Sequence, residues 1–166
     1  MQRLDRPVGG VMVFAKTSKA ASRLADQVRQ QTLQKTYLAV VAGVIDPPEG
    51  TLTDWLEKDH HNNTVRVVES GLPPAKQAIL HYERIAVHAN KSLLRIQLET
   101  GRSHQIRVQL AHCGHPLLGD HKYGQARNLS GPALWSHQLQ LQHPTLREAL
   151  LFNSLPPKTK LWQDFE

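Results

Sequence analysis

The chain has one cysteine, few aromatic residues and no long apolar run. Cys113 cannot form an internal disulfide and leaves no set of thiolates for a metal, which suits a reducing cytoplasm. Aromatic residues make up 5% of the sequence, which argues against a sheet surface that stacks many nucleobases. Apolar runs such as residues 38–41 are too short to span a membrane, and no signal-peptide pattern opens the sequence.

Positive charge, in contrast, is plentiful. Lysine and arginine total 20 against 14 acidic residues, which gives a net charge of +6 with 10 histidines in addition. A basic surface favours polyanions, of which nucleic acid is the commonest, although many basic proteins bind no polyanion. The 166 residues suit one domain, and the 40% apolar content is that of a globular protein.

The spacing of apolar residues predicts more strands than helices. One helix follows a cap at Thr17 or Ser18 and ends near Gln30, and a second covers residues 103–113 with Ser103 as its cap. Because strands and helices do not alternate strictly, we expect an α+β fold with a largely antiparallel sheet. The predicted strands are residues 11–16, 36–43, 51–57, 64–68, 75–88, 94–98 and 137–142, with a hairpin turn at 89–91.

Asp5 lies between Arg3 and Arg6, directly before the first predicted strand. Flanking arginines favour the ionised carboxylate, which suits a nucleophile or an electrostatic partner better than a general acid. The alternative is a surface turn with an incidental ion pair, and such pairs are common and weak.

Residues 100–107, TGRSHQIR, follow a predicted strand and open the second helix. Free amides at a helix start attract anions, and Arg102 and His104 add donors there, so a phosphate-binding site is one interpretation. A capped helix with solvated arginines is the other. Arg107 lies beside the apolar face of this helix and needs a buried carboxylate, for which Asp5 is a candidate.

Two further features have both a functional and a structural interpretation. His104, His112, Cys113, His115, Asp120 and His121 cluster in the sequence. Their spacing fits no zinc pattern, so capping and hydrogen-bonding roles are favoured over a metal site. Tyr37, within the predicted strand 36–43, could stack on one base or be an ordinary half-buried strand tyrosine.

Taken together, three segments resemble the RluA-type pseudouridine synthases. Arg3-Leu4-Asp5, with Gly10 shortly after, resembles the family's catalytic loop, which usually reads His-Arg-Leu-Asp. Residues 35–43, KTYLAVVAG, resemble its tyrosine motif. Residues 100–112, followed by 114–120 and 123–124, resemble its longest and most specific signature.

This resemblance implies a pseudouridine synthase fold for residues 1–166, a mixed, largely antiparallel sheet with a few flanking helices. It implies that the protein converts uridine in structured ribosomal or transfer RNA to pseudouridine by base flipping. We expect a monomer, which would suit a long RNA substrate, and the single cysteine predicts a cytoplasmic protein. Neither a metal nor an organic cofactor is implied. By position, Asp5 matches the nucleophile, Tyr37 the base-stacking proton acceptor and Arg107 the partner of the catalytic carboxylate. Leu110 matches an apolar pocket wall, and Arg3 an arginine that holds the target nucleotide out of the helix.

The sequence also departs from the family pattern. Gln2 stands where the family usually has histidine, and Gly9 replaces a hydroxyl residue, which predicts a looser loop. Several strands usually precede this loop, so a domain truncated at its N-terminus is expected. The main alternative function is therefore a catalytically inactive RNA-binding remnant, and a metal-dependent hydrolase that uses the histidines is a third hypothesis.

Overall fold

A computed structural model describes residues 4–69, 72–124, 131–160 and 162–165. These ranges contain eight strands, two α-helices and a 3-10 helix over Gln163–Phe165. Neither α-helix of the described ranges has the length and apolarity to cross a membrane. In chain order the elements are β1 Gly9–Gly10, α1 Ser18–Arg29, β2 Gln34–Ala42, β3 Glu49–Asp59, β4 Thr64–Val68, β5 Lys76–His88, β6 Lys91–Leu98, α2 Gln105–His112, β7 Leu134–Gln142 and β8 Ala149–Asn153.

The eight strands form one sheet. Their order is β1-β7-β2-β6-β5-β3-β4, and β8 also pairs with β7. β1 pairs in parallel with β7, and the other pairs are antiparallel. The expected α+β class and mixed, largely antiparallel sheet are therefore confirmed.

The predicted hairpin joins β5 and β6. Ala89 and Asn90 form its turn, with φ values of 44° and 59°. Two positive φ angles in succession are typical of the type I′ turn, whose twist matches that of the paired strands. The register then continues from Lys91 to Leu98, so β6 lies in the middle of the sheet beside β2.

Helix α1 begins where the sequence predicted. The side chain of Thr17 accepts a hydrogen bond from the amide of Ala20 at 3.2 Å, which caps the first turn. Leu24 is buried against Leu139 and Leu141 of β7. This packing fixes the end of α1 next to the start of β2.

Helix α2 starts later than predicted, and Ser103 does not cap it. His104 occupies the cap position with φ +51° and makes no side-chain capping bond. Gln105 instead holds the loop before the helix, because its Oε1 accepts the amide of Arg102 at 2.9 Å. Its Nε2 donates to the carbonyl of Ile79 on β5 at 3.0 Å, so the loop before α2 is tied to the sheet.

One face of α2 packs on the centre of the sheet. Ile106 and Leu110 join a buried cluster with Tyr37 and Ala39 of β2. Cys113, which was predicted to share this face, is exposed instead.

The predicted strand at residues 11–16 is wrong. The paired residues are Gly9 and Gly10, and after Val11 the chain leaves the sheet. The Val11 amide still donates to the Ser136 carbonyl at 2.8 Å, and Val13 packs with the cluster under α1. The run is only half-buried: Val11, Val13 and Ala15 pack with this cluster, whereas Met12 and Phe14 are exposed, so neither the burial nor the pairing of the predicted strand is found.

Candidate active site

A cleft of about 1150 Å³ opens between the end of α1 and the start of α2. Its lining includes Asp5, Tyr37 and Arg107, the three residues that sequence analysis assigned to catalysis. Asp5 comes from the segment before β1, Tyr37 from the middle of β2, and Arg107 from the first turn of α2. The fold therefore brings the three predicted residues to one place.

Asp5 is held by a turn that leads into β1. The amide of Val8 donates to the Asp5 carbonyl at 2.9 Å. Gly9 then pairs with Trp135, whose ring fills the space that a Cβ on Gly9 would occupy, with a closest approach of 2.3 Å. The looser loop predicted from Gly9 is therefore not found, because the Trp135 side chain takes the place of the missing one.

The Asp5 carboxylate contacts Arg107. Oδ2 of Asp5 lies 3.3 Å from Nη1 of Arg107. The Asp5 side chain is 25% exposed, whereas that of Arg107 is 7% exposed. Asp5 is thus reachable from the cleft while its partner is enclosed by protein.

Asp120 is the nearer partner of Arg107. Nε and Nη2 of Arg107 each donate to Asp120 at 2.7 Å, and the Asp120 side chain has no exposed surface. This two-point pairing fixes the plane of the guanidinium and leaves Nη1 for Asp5. Sequence analysis had placed Asp120 only among the metal candidates. The signal that could have found it is the need of a buried arginine for a carboxylate.

Both members of this buried pair are held ionised. Burial opposes the charge of Arg107, but hydrogen bonds and charge from Asp120 and Asp5 outweigh it and raise the pKa of the guanidinium. Burial likewise opposes the charge of Asp120, but Arg107 and the amides of Lys122 and Tyr123 lower its pKa overall. The charge of Arg107 beside Asp5 is therefore fixed across the physiological pH range.

Tyr123 and His104 cover the other side of the arginine. The guanidinium carbon of Arg107 lies 5.1 Å from the centre of the Tyr123 ring, within cation–π range. The Tyr123 hydroxyl accepts the amide of Val65 at 2.9 Å and lies 2.6 Å from Nδ1 of His104. Burial lowers the pKa of His104, and nearby cations add to this although Asp5 opposes it. His104 is therefore neutral at pH 7 and offers a hydrogen bond rather than a charge.

Tyr37 and Leu110 occupy different depths of the site. Tyr37 is 5% exposed and lines the cleft from β2. Leu110 is fully buried and lies beneath the cleft in the same cluster, so it supports the wall rather than forming it. Ile106 and Leu134 supply the apolar lining at this point.

Of the two arginines predicted to bind substrate, Arg102 lies in the cleft. Arg102 is exposed and lines the cleft, and its Nε donates to the Gln77 carbonyl at 2.8 Å. Arg3 lies outside the described residues.

The histidine cluster of the sequence does not converge in the structure. Nδ1 of His115 lies 2.9 Å from the Ala42 carbonyl, whereas Nδ1 of His104 lies 2.6 Å from the Tyr123 hydroxyl. Among the described residues, no group of three or more histidine, cysteine, aspartate or glutamate side chains is placed to hold a metal ion.

Comparison with known proteins then decides the family. A family model described as RNA pseudouridylate synthase matches residues 1–112 of the chain. The chain belongs to the RNA pseudouridylate synthase family. The RluA-type resemblance seen in the sequence is thereby confirmed.

Curated members of the family share more than a third of the residues. An uncharacterized RNA pseudouridine synthase, YhcT of Bacillus subtilis, is 37% identical over 154 residues, which cover 91% of this chain and 50% of that protein. The ribosomal large subunit pseudouridine synthase D of Nitrosomonas europaea is 37% identical over 173 residues, covering 95% of this chain and 47% of that protein. The chain thus spans about half the length of these relatives.

Solved structures of the family share the fold. Human RNA pseudouridylate synthase domain containing 4 matches with a TM-score of 0.78 and 25% identity, over 95% of this chain and 70% of the human one. The fold of that structure is therefore shared by this chain.

Proposed function

We propose that this protein isomerises uridine in structured ribosomal or transfer RNA to pseudouridine, with Asp5 as the nucleophile. The observation that carries the proposal is the Asp5 carboxylate, which faces the cleft 3.3 Å from the enclosed Arg107 guanidinium. A carboxylate oriented by one buried cation is suited to nucleophilic attack.

The chemistry can be written with this chain's residues alone. A carboxylate oxygen of Asp5 bonds to C1′ of the ribose as the bond from C1′ to N1 of uracil breaks. The detached uracil turns, its C5 bonds to C1′, and the bond from Asp5 to C1′ breaks. The hydroxyl oxygen of Tyr37 accepts the proton lost from C5 as its own proton passes to water, and water supplies the proton that N1 gains. Substrate and product are isomers, so no oxidant, metal or organic cofactor is needed.

Extruding the target nucleotide has a cost that the cleft can offset. Unstacking and unpairing a base costs a few kcal/mol. Tyr37 offers a ring on which the extruded uracil can stack, and Ile106 and Leu134 offer apolar contact beside it. Arg102 and the neutral His104 lie on the wall of the cleft as donors for RNA oxygens. For Arg3 a role in holding the nucleotide out of the helix stays a prediction.

We also propose that the chain acts as one catalytic domain, as a monomer in the cytoplasm. The chain spans about half the length of each of these relatives, which supports its acting as one domain of a larger family architecture. Light scattering during size-exclusion chromatography tests the monomeric state, with a mass near 18.7 kDa expected. Activity that survives a chelator is expected for a reaction that uses no metal.

Release of tritium tests the reaction itself. Unmodified ribosomal and transfer RNA that carry tritium at uridine C5 are mixed with the purified chain, and tritium in water is counted. The wild type should release tritium, and Asp5→Asn should release none while its RNA affinity changes less than about threefold, since it loses one anion in a basic cleft. Asp164→Asn is the matched control, because Asp164 pairs with Lys91 on the surface. It should match the wild type.

The same assay separates the alternatives. Turnover by Asp5→Asn would contradict the nucleophile. Salt-dependent RNA binding by the wild type without tritium release on either RNA would favour the catalytically inactive remnant. Bound metal by elemental analysis, with activity lost to a chelator, would favour the hydrolase.

A further inference from the structure

Lys35 lies on the same strand as Tyr37 and lines the same cleft. Alternate residues of a strand point to the same side, and two residues span about 6.6 Å. The pairing of β2 with β7 includes both residues, and its register shifts between Thr36, which pairs with Gln138, and Tyr37, which pairs with Ser136. The residue passed over by this shift belongs to β7, so β2 keeps its own alternation from Lys35 to Tyr37. The Lys35 side chain therefore leaves the sheet on the same side as the Tyr37 ring.

The ammonium group of Lys35 lies against the loop that precedes α2. A Cβ on Gly101 would lie 3.6 Å from Nζ of Lys35, in ordinary van der Waals contact. Gly101 is itself a cleft residue, and Arg102 follows it. This places one cation on the cleft wall at the end of β6, beside the loop that Gln105 ties to the sheet.

Lys35 is half-buried, and its side chain has no hydrogen bond or ion pair within the described ranges of the chain. Burial lowers the pKa of this ammonium, and no carboxylate contributes to the shift. An ammonium that has lost part of its water without gaining an anion is in an unfavourable state, and an anionic ligand would relieve it.

The two acidic residues of the cleft are engaged elsewhere. Asp5 contacts Arg107, and Oε2 of Glu99 lies 3.3 Å from Nε2 of His81. Seven lysines and arginines face these two acids among the described lining residues: Arg6, Arg29, Lys35, Lys58, Arg102, Arg107 and Lys122. Neither acid pairs with Lys35, which leaves the ammonium available to an anionic ligand.

We infer that Lys35 binds a phosphate of the RNA backbone next to the target nucleotide. The inference rests on the proposed function, because it identifies which group of the RNA meets this part of the cleft. Lysine binds phosphate as a compact point charge, which fits one ammonium on a wall better than a planar fork would. With the base on Tyr37, a backbone phosphate can reach the ammonium a strand repeat away. Lys35 is thus a substrate-positioning residue and takes no part in bond making.

Salt-dependent binding tests this role. Lys35→Gln and the control Lys76→Gln are compared with the wild type for binding to a transfer RNA from 50 to 300 mM KCl. Lys76 is exposed at the start of β5 and outside the cleft, so its variant has the same loss of charge. Loss of one phosphate contact should weaken binding by Lys35→Gln about 5- to 20-fold at low salt and reduce the slope of log K against log salt by about 0.7–0.9. Lys76→Gln should change affinity less than about twofold.

Two further measurements distinguish positioning from chemistry and folding. At saturating enzyme, the single-turnover rate of Lys35→Gln should stay within about threefold of the wild type, since only ground-state binding is removed. Lys35→Arg keeps the charge and should restore the slope. A lower rate with an unchanged slope, or no change in either, would overturn the inference.

Binding and turnover also report separately on the two proposals. A slope change for Lys35→Gln, with no tritium release by the wild type on either RNA, would support Lys35 as a phosphate ligand while contradicting the isomerase. Turnover without a slope change would do the reverse.

Discussion

At the scale of single residues, Arg107 connects two carboxylates with different tasks. Asp120 is fully enclosed and holds two nitrogens of the guanidinium at 2.7 Å, and Asp5 faces the cleft and contacts the third at 3.3 Å. A lone buried arginine would be free to change rotamer and meet Asp5 in several ways. With Asp120 in place, one nitrogen is presented in one direction, so the Asp5 carboxylate faces a fixed charge.

Asp120→Asn should destabilise the fold and slow the reaction. Removing one partner of a buried ion pair leaves an uncompensated charge and costs about 3–5 kcal/mol of unfolding free energy. The single-turnover rate should fall at least about tenfold, because Arg107 is then free to move relative to Asp5. Urea unfolding and tritium release measure the two effects. Asp54→Asn is the control, since Asp54 also bonds to an α2 side chain, Gln109, at 2.7 Å, but lies outside the cleft.

The stabilisation by Asp120 should depend on pH in a defined direction. Its folded pKa is lowered, so the unfolded chain takes up the proton first on acidification. The contribution is therefore complete above the unfolded pKa of about 3.9 and is lost as pH falls through the lower folded value. The difference in unfolding free energy between wild type and Asp120→Asn should be constant from pH 7 to 5 and shrink below about pH 4. A difference that grows on acidification would contradict this assignment.

The sequence predicted the site residues that lie in recognisable motifs, but it did not predict Asp120, whose role depends on tertiary packing. Asp5, Tyr37 and Arg107 each lie in a recognisable segment, and the cleft brings them together. Asp120 stands between glycine and histidine, where local context suggests a loop or a ligand. Its pairing depends on how residues 117–124 turn back over α2, which is a tertiary property. The half-burial of the Lys35 side chain without an acidic partner likewise depends on the tertiary structure.

At the scale of elements, a two-residue strand determines where Asp5 lies. β1 begins four residues after Asp5 and pairs in parallel with Trp135 and Ser136 of β7. Gly10 has φ +121°, and a Cβ there would lie 2.2 Å from the Ser136 carbonyl oxygen. Only glycine lets the two backbones approach this closely.

Gly10→Ala should therefore detach the segment that carries Asp5. The strained φ alone costs about 1–3 kcal/mol, and the clash with the β7 backbone adds to it. Because a shift of 1 Å at the reacting group can cost about 10²-fold in rate, turnover should fall by at least that factor. Gly114→Ala is the matched control: its φ is +90°, but a Cβ there would meet nothing within 4 Å. It should lose stability and keep its rate, measured by urea unfolding and tritium release.

The elements also show where sequence patterns stop being informative. Residues 11–16 are apolar enough to be a strand, yet they do not pair, and only Val11, Val13 and Ala15 pack near α1. Ser103 has the chemistry of a helix cap, but no side chain caps α2, and Gln105 instead holds the preceding loop through Arg102 and the sheet. β8 was not predicted, because its exposed residues show no alternation. Pairing partners, unlike burial, are not encoded by local periodicity.

At the scale of the whole molecule, the positive charge is concentrated in the cleft. Seven lysines and arginines and two acidic residues are among the described residues that line the cleft, whereas the totals for the chain are 20 and 14. An enclosed basic cleft focuses its field on a polyanion more strongly than the same charges spread over a convex surface. RNA should therefore bind in the cleft, and not wherever the net charge of +6 makes the protein surface positive.

The salt dependence of RNA binding should report this concentration of charge. If about five cleft cations each neutralise one phosphate, log K falls against log salt with a slope of about −3.5 to −4.5. Raising KCl from 50 to 200 mM should then weaken binding by about 10²- to 5 × 10²-fold. The double variant Lys58→Gln with Lys122→Gln removes two cleft cations and should reduce the slope by about 1.4–1.8. Lys19→Gln with Lys76→Gln removes the same charge outside the cleft and should leave the slope within experimental error. Equal slopes for the two double variants would mean that net charge alone attracts the RNA, and the cleft would then not be its path to Asp5.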